Sequence, residues 1–379
     1  MFNSRIAQRL NLRYPIIQAP CAPYSIEAVV AEVSNAGGLG SLSAALFSPD
    51  KIRDSIREIK RLTNNPFAVN LFAPPINSPI PDDFTNKKRY TSDKVLDTFR
   101  GELGIKTPDQ YTPRSYPFED QLSVLLEEGC PVFSFTFGEL PDGAIAKLKG
   151  AGTFVIGTAT TVHEASVLVN KPNQNDAVDA IIAQGYEAGG HRGKFDSTKI
   201  ESQLGTMSLL PQVVDAVGHK VPVIAAGGIT DPRTVLASFV LGADAAALGT
   251  LFMFSKTTIL PSYHREALMN SHPEATQLTR AFTGRYARGI TNRFMEKVHD
   301  ACTGEDDIPS YDIHSSRTMD IAAKAKEAGK GGDYASMWSG QSFGVAKAFT
   351  ENGTLTATET FEKLVSGVEE LKKKFSSTA

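Results

Sequence analysis

The chain has 379 residues, 41% of them hydrophobic and 21% charged, a balance that supports a sizeable buried core in an ordinary globular protein. With 39 basic against 42 acidic side chains the net charge is -3, so there is no basic field to favour nucleic acid or an anionic membrane surface, and a small-molecule partner is expected. Cys21, Cys130 and Cys302 have no paired spacing, which argues against a disulfide framework or a zinc cluster and for a reducing compartment.

No apolar run reads as a membrane span; the longest, Val235 to Phe254, is interrupted by Gly242, Asp244 and Gly249. Arg5, Arg9 and Arg13 precede the first acidic residue, Glu27, a pattern shared with mitochondrial leaders. A cleavable leader there would remove part of the barrel entrance, so the cytoplasm is the expected location.

In chain order, short apolar runs closed by glycine or small polar clusters alternate with helix-length amphipathic segments, as in βαβ units. Eight strands are predicted: Pro15–Pro20, Gly38–Ser43, Phe67–Phe72, Val132–Phe137, Thr153–Thr158, Ala180–Gln184, Val221–Ala226 and Ala243–Leu248. Several are apolar on both parities, as strands buried on both faces must be. Eight of them predict an α/β fold closed as a (β/α)8 TIM barrel.

Between the strands, Ser25 is placed to cap a helix over Ile26–Asn35 that stops at Gly37-Gly38. Asp231 and Pro232 open another that runs to Leu241 and stops at Gly242. Residues 74–119, rich in Pro, Asp, Lys and Tyr, are too long for a connection and predict an insertion over the end of strand three. From 256 to about 345 the pattern is largely helical, without strand patterning, and predicts a lid-like subdomain. Ala357–Phe375 sets Phe361, Leu364, Val365, Val368, Leu371 and Phe375 at helical spacing, a closing surface helix. The expected organisation is a barrel over 1–255, a helical subdomain over 256–335 and a closing segment over 336–379.

In such a barrel the chemistry sits where the strands end. Strand seven runs into Ala225-Ala226-Gly227-Gly228-Ile229, and strand eight, about twenty residues on, into Leu248-Gly249-Thr250. Two glycine-opened turns beside a capped helix make a phosphate cradle, to which the Thr250 hydroxyl adds a donor. Plain tight turns are the alternative, and the cradle alone leaves sugar phosphates, nucleotides and FMN open.

Strand six ends in Gln184-Gly185-Tyr186-Glu187-Ala188-Gly189-Gly190-His191-Arg192-Gly193, where small residues leave room for a flat ligand and His191 is the acid/base candidate. His163, His219, His264, His272, His299 and His314 read as solvated or structural. Asn70 and Gln184 place amides at strand ends, where they suit the edge of a polar heterocycle or a structural hydrogen bond. Gln18-Ala19-Pro20-Cys21 ends strand one; Cys21, with no acid/base partner in sight, reads as a small apolar residue rather than a nucleophile.

Gln-Ala-Pro at 18–20, Val-Ser-Asn-Ala-Gly-Gly-Leu-Gly at 33–40, Asn70, Glu-Ala-Gly-Gly-His-Arg-Gly at 187–193 and Ala-Ala-Gly-Gly-Ile at 225–229, in that order, resemble the nitronate monooxygenase (2-nitropropane dioxygenase) family over residues 14–255. Trp338-Ser339-Gly340-Gln341 looks like its closing cofactor motif. The resemblance implies an FMN enzyme that oxidises an alkyl nitronate, such as propionate 3-nitronate, with O2. The products are a carbonyl compound plus nitrite or nitrate, reached through a flavin semiquinone with no metal and no nicotinamide.

By the same resemblance His191 is catalytic, and Asn70, Gln184, Gly189, Gly228 and the stretch Ala247, Leu248, Gly249, Thr250 contact FMN. Ala19, Pro20, Cys21, Gly190, Gly227, Trp338, Ser339 and Gln341 complete the expected set. Ala247 departs from the pattern, where glutamine is usual. An anionic nitronate calls for positive charge beside the flavin, expected from protonated His191 or from Arg192. A monomer or a homodimer fits. The competing readings are an FMN-dependent enoyl-thioester reductase using NAD(P)H and a non-catalytic flavin or phosphate-ligand binder.

Overall fold

The computed structural model describes residues 4–74, 84–196 and 202–377. All eight predicted strands form: β1 (Ile16–Gln18), β2 (Gly40–Ser43), β3 (Phe67–Phe72), β4 (Val132–Thr136), β5 (Phe154–Ala159), β6 (Ala180–Gln184), then, after a two-residue strand β7 (Gly190–His191), β8 (Val223–Ala226) and β9 (Ala245–Leu248). They pair in parallel in the order β1-β9-β8-β6-β5-β4-β3-β2. The gap between β1 and β2 is bridged at Ile17 and Leu39, where Gln18 N donates to Leu39 O at 2.9 Å. This closes a (β/α)8 barrel.

The doubly apolar runs fold this way because each strand faces two cores. Ile17, Leu39, Ala68, Val132, Ile156, Ile224 and Ala247 point into the barrel, whose lower end is plugged by Ile6 and Leu10 of a short helix, Arg5–Leu10. Val69, Phe133, Val155, Ile181 and Val223 face outward onto helix residues such as Val30, Ile56, Leu148, Leu168 and Val213. Each such buried aliphatic contributes about 1.5–3 kcal/mol of transfer free energy. Helix Glu27–Asn35 lies so close to β2 that a Cβ on Gly40 would meet Val30 O at 2.1 Å, which makes glycine obligatory there.

Asp231 caps helix Pro232–Val240 as expected, accepting from the backbone N–H groups of Arg233 and Thr234 at 3.1 Å. Ser25 does not cap helix Glu27–Asn35. Its hydroxyl takes hydrogen bonds from Cys21 N and Gln18 Nε2, both at 2.8 Å, and fixes the turn after β1 instead.

The region from 256 onward is not strand-free. β10 (Thr276–Thr279) and β11 (Ala287–Ile290) form an antiparallel pair, and β11 also pairs with β7, setting Ala287 opposite His191. Within the predicted insertion, residues 75–83 lie outside the described part. Helix Thr91–Leu103 packs on helices Arg293–Ala301 and Ile313–Glu327, so the insertion joins the later subdomain. Leu96 and Phe99 share a separate core there with Phe282, Phe294, Val298, Ile321 and Tyr334. Within it the carboxylate of Asp93 meets the Arg317 guanidinium at 3.0 Å, both side chains fully buried. The last helix, Ala357–Ser376, lays Phe361, Leu364 and Val368 against the barrel beside helices Glu27–Asn35 and Pro232–Val240.

Candidate active site

A cavity of about 650 Å³ occupies the C-terminal end of the barrel and runs out under helix Ile313–Glu327. Ala19, Pro20 and Cys21 after β1, Asn70 on β3, Gln184 on β6, Gly189, Gly190 and His191, Gly227 and Gly228 after β8, Ala247, Gly249 and Thr250 at β9, and Trp338 and Ser339 all line it. Leu248 and Gln341 do not. Strand alternation turns the Leu248 side chain outward into the core, where it is fully buried, while Gln341 is exposed and donates its backbone N–H to Glu187 O at 3.0 Å.

At one end Gly227 and Gly228 take positive φ, 107° and 70°, carrying the chain sharply off β8. The backbone N–H groups of Gly227, Gly228, Ile229 and Gly249 make no hydrogen bond to any described residue. Four such donors around one cavity are the arrangement an anion satisfies. Thr250 Oγ1 accepts from Gly340 N at 3.0 Å, which leaves its hydroxyl proton to donate. The turn is braced from behind, where the Glu187 carboxylate accepts from Thr206 N at 2.8 Å and Thr206 Oγ1 donates to Gly227 O at 2.7 Å.

The other end is built around His191. Its ring lies 5.5–6.1 Å, centroid to centroid, from those of Phe72, Phe137, Tyr311 and Trp338. Nε2 sits 2.9 Å from Thr283 Oγ1. With the Thr283 hydroxyl donating to Arg285 O at 3.2 Å, the network assigns the imidazole proton to Nε2 and leaves Nδ1, which has no partner among the described residues, as an acceptor. Burial, with smaller repulsions from Arg285 and Arg114, pushes its pKa down to about 3.

Two expectations about charge are therefore corrected. Burial among aromatic rings works against an imidazolium at His191, where a protonated ring was expected. Arg192 is not beside the cavity. Its guanidinium turns into the protein and donates to Gly185 O at 2.6 Å and Gln184 O at 3.1 Å, carbonyls at the end of β6. The cations that line the cavity are Arg114 and Lys326, from segments whose orientation the sequence does not reveal.

Gln184 holds the His191 loop, donating to His191 O at 3.0 Å and accepting from Gly193 N at 2.8 Å. The Asn70 amide donates to Ser134 Oγ at 3.0 Å, and its oxygen has no partner among the described residues. Cys21 lies on the wall with its thiol pushed up to about 12 by burial, which removes it as a nucleophile. His264 and His314 are fully buried hydrogen-bonders, to Tyr24 OH at 2.8 Å and Ala281 O at 2.7 Å, as a structural role requires. Thr283 and Tyr311 went unread in sequence. Phe72 and Phe137 stood at predicted strand ends and carried a positional signal.

The sequence model of the nitronate monooxygenase family matches residues 3–364. The chain belongs to the nitronate monooxygenase family. It is 40% identical to a probable nitronate monooxygenase of Staphylococcus aureus over 340 residues, 89% of this chain and 91% of that one. Among solved structures, a nitroalkane oxidase from Streptomyces ansochromogenes superimposes with a TM-score of 0.84 at 32% identity, covering 97% of this chain and 99% of that one. FabK from Thermotoga maritima superimposes with a TM-score of 0.74 at 25% identity over the whole of both chains. Membership makes the chain a flavin-dependent oxidoreductase. No helix of the described residues is long and apolar enough to cross a membrane.

Proposed function

We propose that the chain binds FMN in this cavity and oxidises alkyl nitronates, propionate 3-nitronate foremost, with O2 to a carbonyl compound plus nitrite or nitrate. The residues fit the cofactor. The unpaired N–H groups of Gly227, Gly228 and Gly249 with the Thr250 hydroxyl would hold its phosphate, and Asn70, Gln184, Gly189 and Gly190 would meet its ring system. Ala19, Pro20, Cys21, Trp338 and Ser339 complete the walls, and Ala247, in place of the family's glutamine, offers no polar contact. When bound, the flavin supplies the electron acceptor and the O2 chemistry.

The observation that carries the reading is the state of His191. A nitronate has already lost its α-proton, so it needs an orienting donor or acceptor and a dry pocket rather than a strong base. An imidazole pushed down to about 3 is a weak base, fixed by Thr283, with Nδ1 able to hold or move a proton inside an aromatic box. So weak a base is not suited to taking the α-proton from a neutral nitroalkane, a step the nitronate does not need.

The test is the visible spectrum of the purified protein under anaerobic conditions. Propionate 3-nitronate is expected to change a bound flavin spectrum while NADPH leaves it unaltered, and His191→Asn is expected to keep the flavin and lose the response. Reduction by NADPH alone would favour the enoyl-thioester reductase instead, and a protein that takes up no flavin would overturn the reading.

A further inference from the structure

We infer that Arg114 and Lys326 form a recognition site for a second anionic group of the substrate, a carboxylate remote from the reacting carbon. The inference rests on the nitronate reading above and specifies which nitronates the cavity selects. Among the described residues no aspartate or glutamate lines the cavity, and the charged residues that do are these two cations. Neither takes part in an ion pair with a described residue, whereas Arg100, Arg280, Arg285 and Arg317 are spent on carboxylates or carbonyls.

Arg114 is half-buried, and its Nη1 is steadied by Ser315 Oγ at 3.1 Å, which leaves most of the guanidinium fork uncommitted. Ser315, Thr318, Met319, Ala322 and Lys326 lie at helical spacing along one face of helix Ile313–Glu327, and this face is the cavity's outer wall. The small Ala322 and Ala323 leave room beside it. Arg114 lines the same cavity as His191, Tyr311 and Lys326 and bears electrostatically on all three. Two like charges facing one cavity repel each other until an anion enters. A nitronate with a carboxylate at the other end meets both requirements, with the reacting end at His191 and the carboxylate on the Arg114 fork.

The test compares propionate 3-nitronate, a dianion, with propyl 1-nitronate, a monoanion of the same chain length. In Arg114→Gln the ratio of kcat/KM for the dianion to that for the monoanion is expected to fall about tenfold or more, carried by KM. In Lys326→Gln, an exposed position where folding is not at stake, the ratio falls less but in the same direction. Succinate, a non-reacting dianion, should perturb the flavin spectrum of the parent protein, and this response should weaken in both variants. An unchanged ratio in both variants, or succinate binding indifferent to both, overturns the inference. If the parent oxidises neither nitronate, the functional reading fails on its own, and the succinate titration still decides whether these two side chains bind a dianion.

Discussion

Replacing Asp93 with asparagine isolates the contact that ties the inserted helix to the cavity wall. Asp93 opens helix Thr91–Leu103, where its carboxylate accepts from Tyr90 N at 2.8 Å and meets Arg317 Nη1 with both oxygens at 3.0 Å. Arg317 sits on helix Ile313–Glu327, whose face carries Ser315, Thr318 and Lys326 into the cavity. Both side chains are fully buried, so the substitution removes the carboxylate charge that faces the Arg317 guanidinium, and breaking such a pair costs about 3–5 kcal/mol. Asparagine keeps one acceptor for Tyr90 N, which places the expected cost near about 3 kcal/mol. A chain of 379 residues has an unfolding entropy of about 0.8 kcal/mol/K, so the melting temperature should fall by about 4 °C if the chain unfolds as one unit. Differential scanning calorimetry measures this directly. Flavin content should be unchanged, because the glycine turns after β8 and β9 belong to the barrel, while KM should rise as the outer wall loosens. A melting temperature within about 1 °C of the parent would refute the reasoning, since a buried pair that costs nothing to break is not holding the two helices together.

Thr283→Val, nearly isosteric, removes the partner of His191 Nε2; kcat/KM should fall about tenfold with flavin content unchanged, and parental kinetics would show that this hydroxyl does not set the imidazole's orientation. Acid should destabilise the fold through its buried histidines. Burial pushes His191 down to about 3, His264 to about 4 and His314 to about 3. Below pH 6.5 the unfolded chain therefore binds protons that the folded chain refuses, and stability falls as pH drops from 6.5 toward 4. The loss is about 2 kcal/mol for each buried histidine by pH 5. Melting curves at pH 7.5 and pH 5 check this, His264→Gln should make the decline shallower, and a flat profile would contradict it.

The barrel was legible because its cause is local. Strands buried on both faces must be apolar on both parities, and Val-Pro-Val-Ile-Ala-Ala at 221–226 shows it without reference to any other residue. The sharp turn after β8 was legible for the same reason, since Gly227-Gly228 announces a backbone conformation by itself. What escaped the sequence depends on partners far along the chain. Thr276–Thr279, mixed in burial, and Ala287–Ile290, buried throughout, are four-residue segments too short to show a period, and β11 exists because it pairs both β10 and β7. Asp93 and Arg317 are 224 positions apart and each looks like a surface charge in its own segment. Arg192 was adjacent to His191 in sequence but not in function, because consecutive residues on a strand point to opposite faces, and the face Arg192 took offered carbonyls.

The two ends of the cavity have different structural owners, and this bears on what each can change without the other. The glycine turns at one end follow adjacent barrel strands, β8 and β9, with Glu187 and Thr206 behind them. The reacting end is held by a sheet outside the barrel, in which β11 fixes His191 through Ala287 on one side and draws in the segment of Trp338 on the other. A Cβ on Gly289 would stand 2.8 Å from Met337 O, so glycine is what lets that second approach occur. Thr283, which positions the imidazole, lies in the turn between β10 and β11, and Tyr311 comes from the segment leading into helix Ile313–Glu327. On the proposed reading, cofactor retention would depend on the barrel, whereas the polarity, shape and charge met by the substrate would depend on the later subdomain and the helix inserted at 91–103. A described lining without carboxylates, in which the glycine turns come from the barrel while the surroundings of His191 and the cations Arg114 and Lys326 come from later or inserted segments, is a division that one barrel's strand ends do not supply on their own.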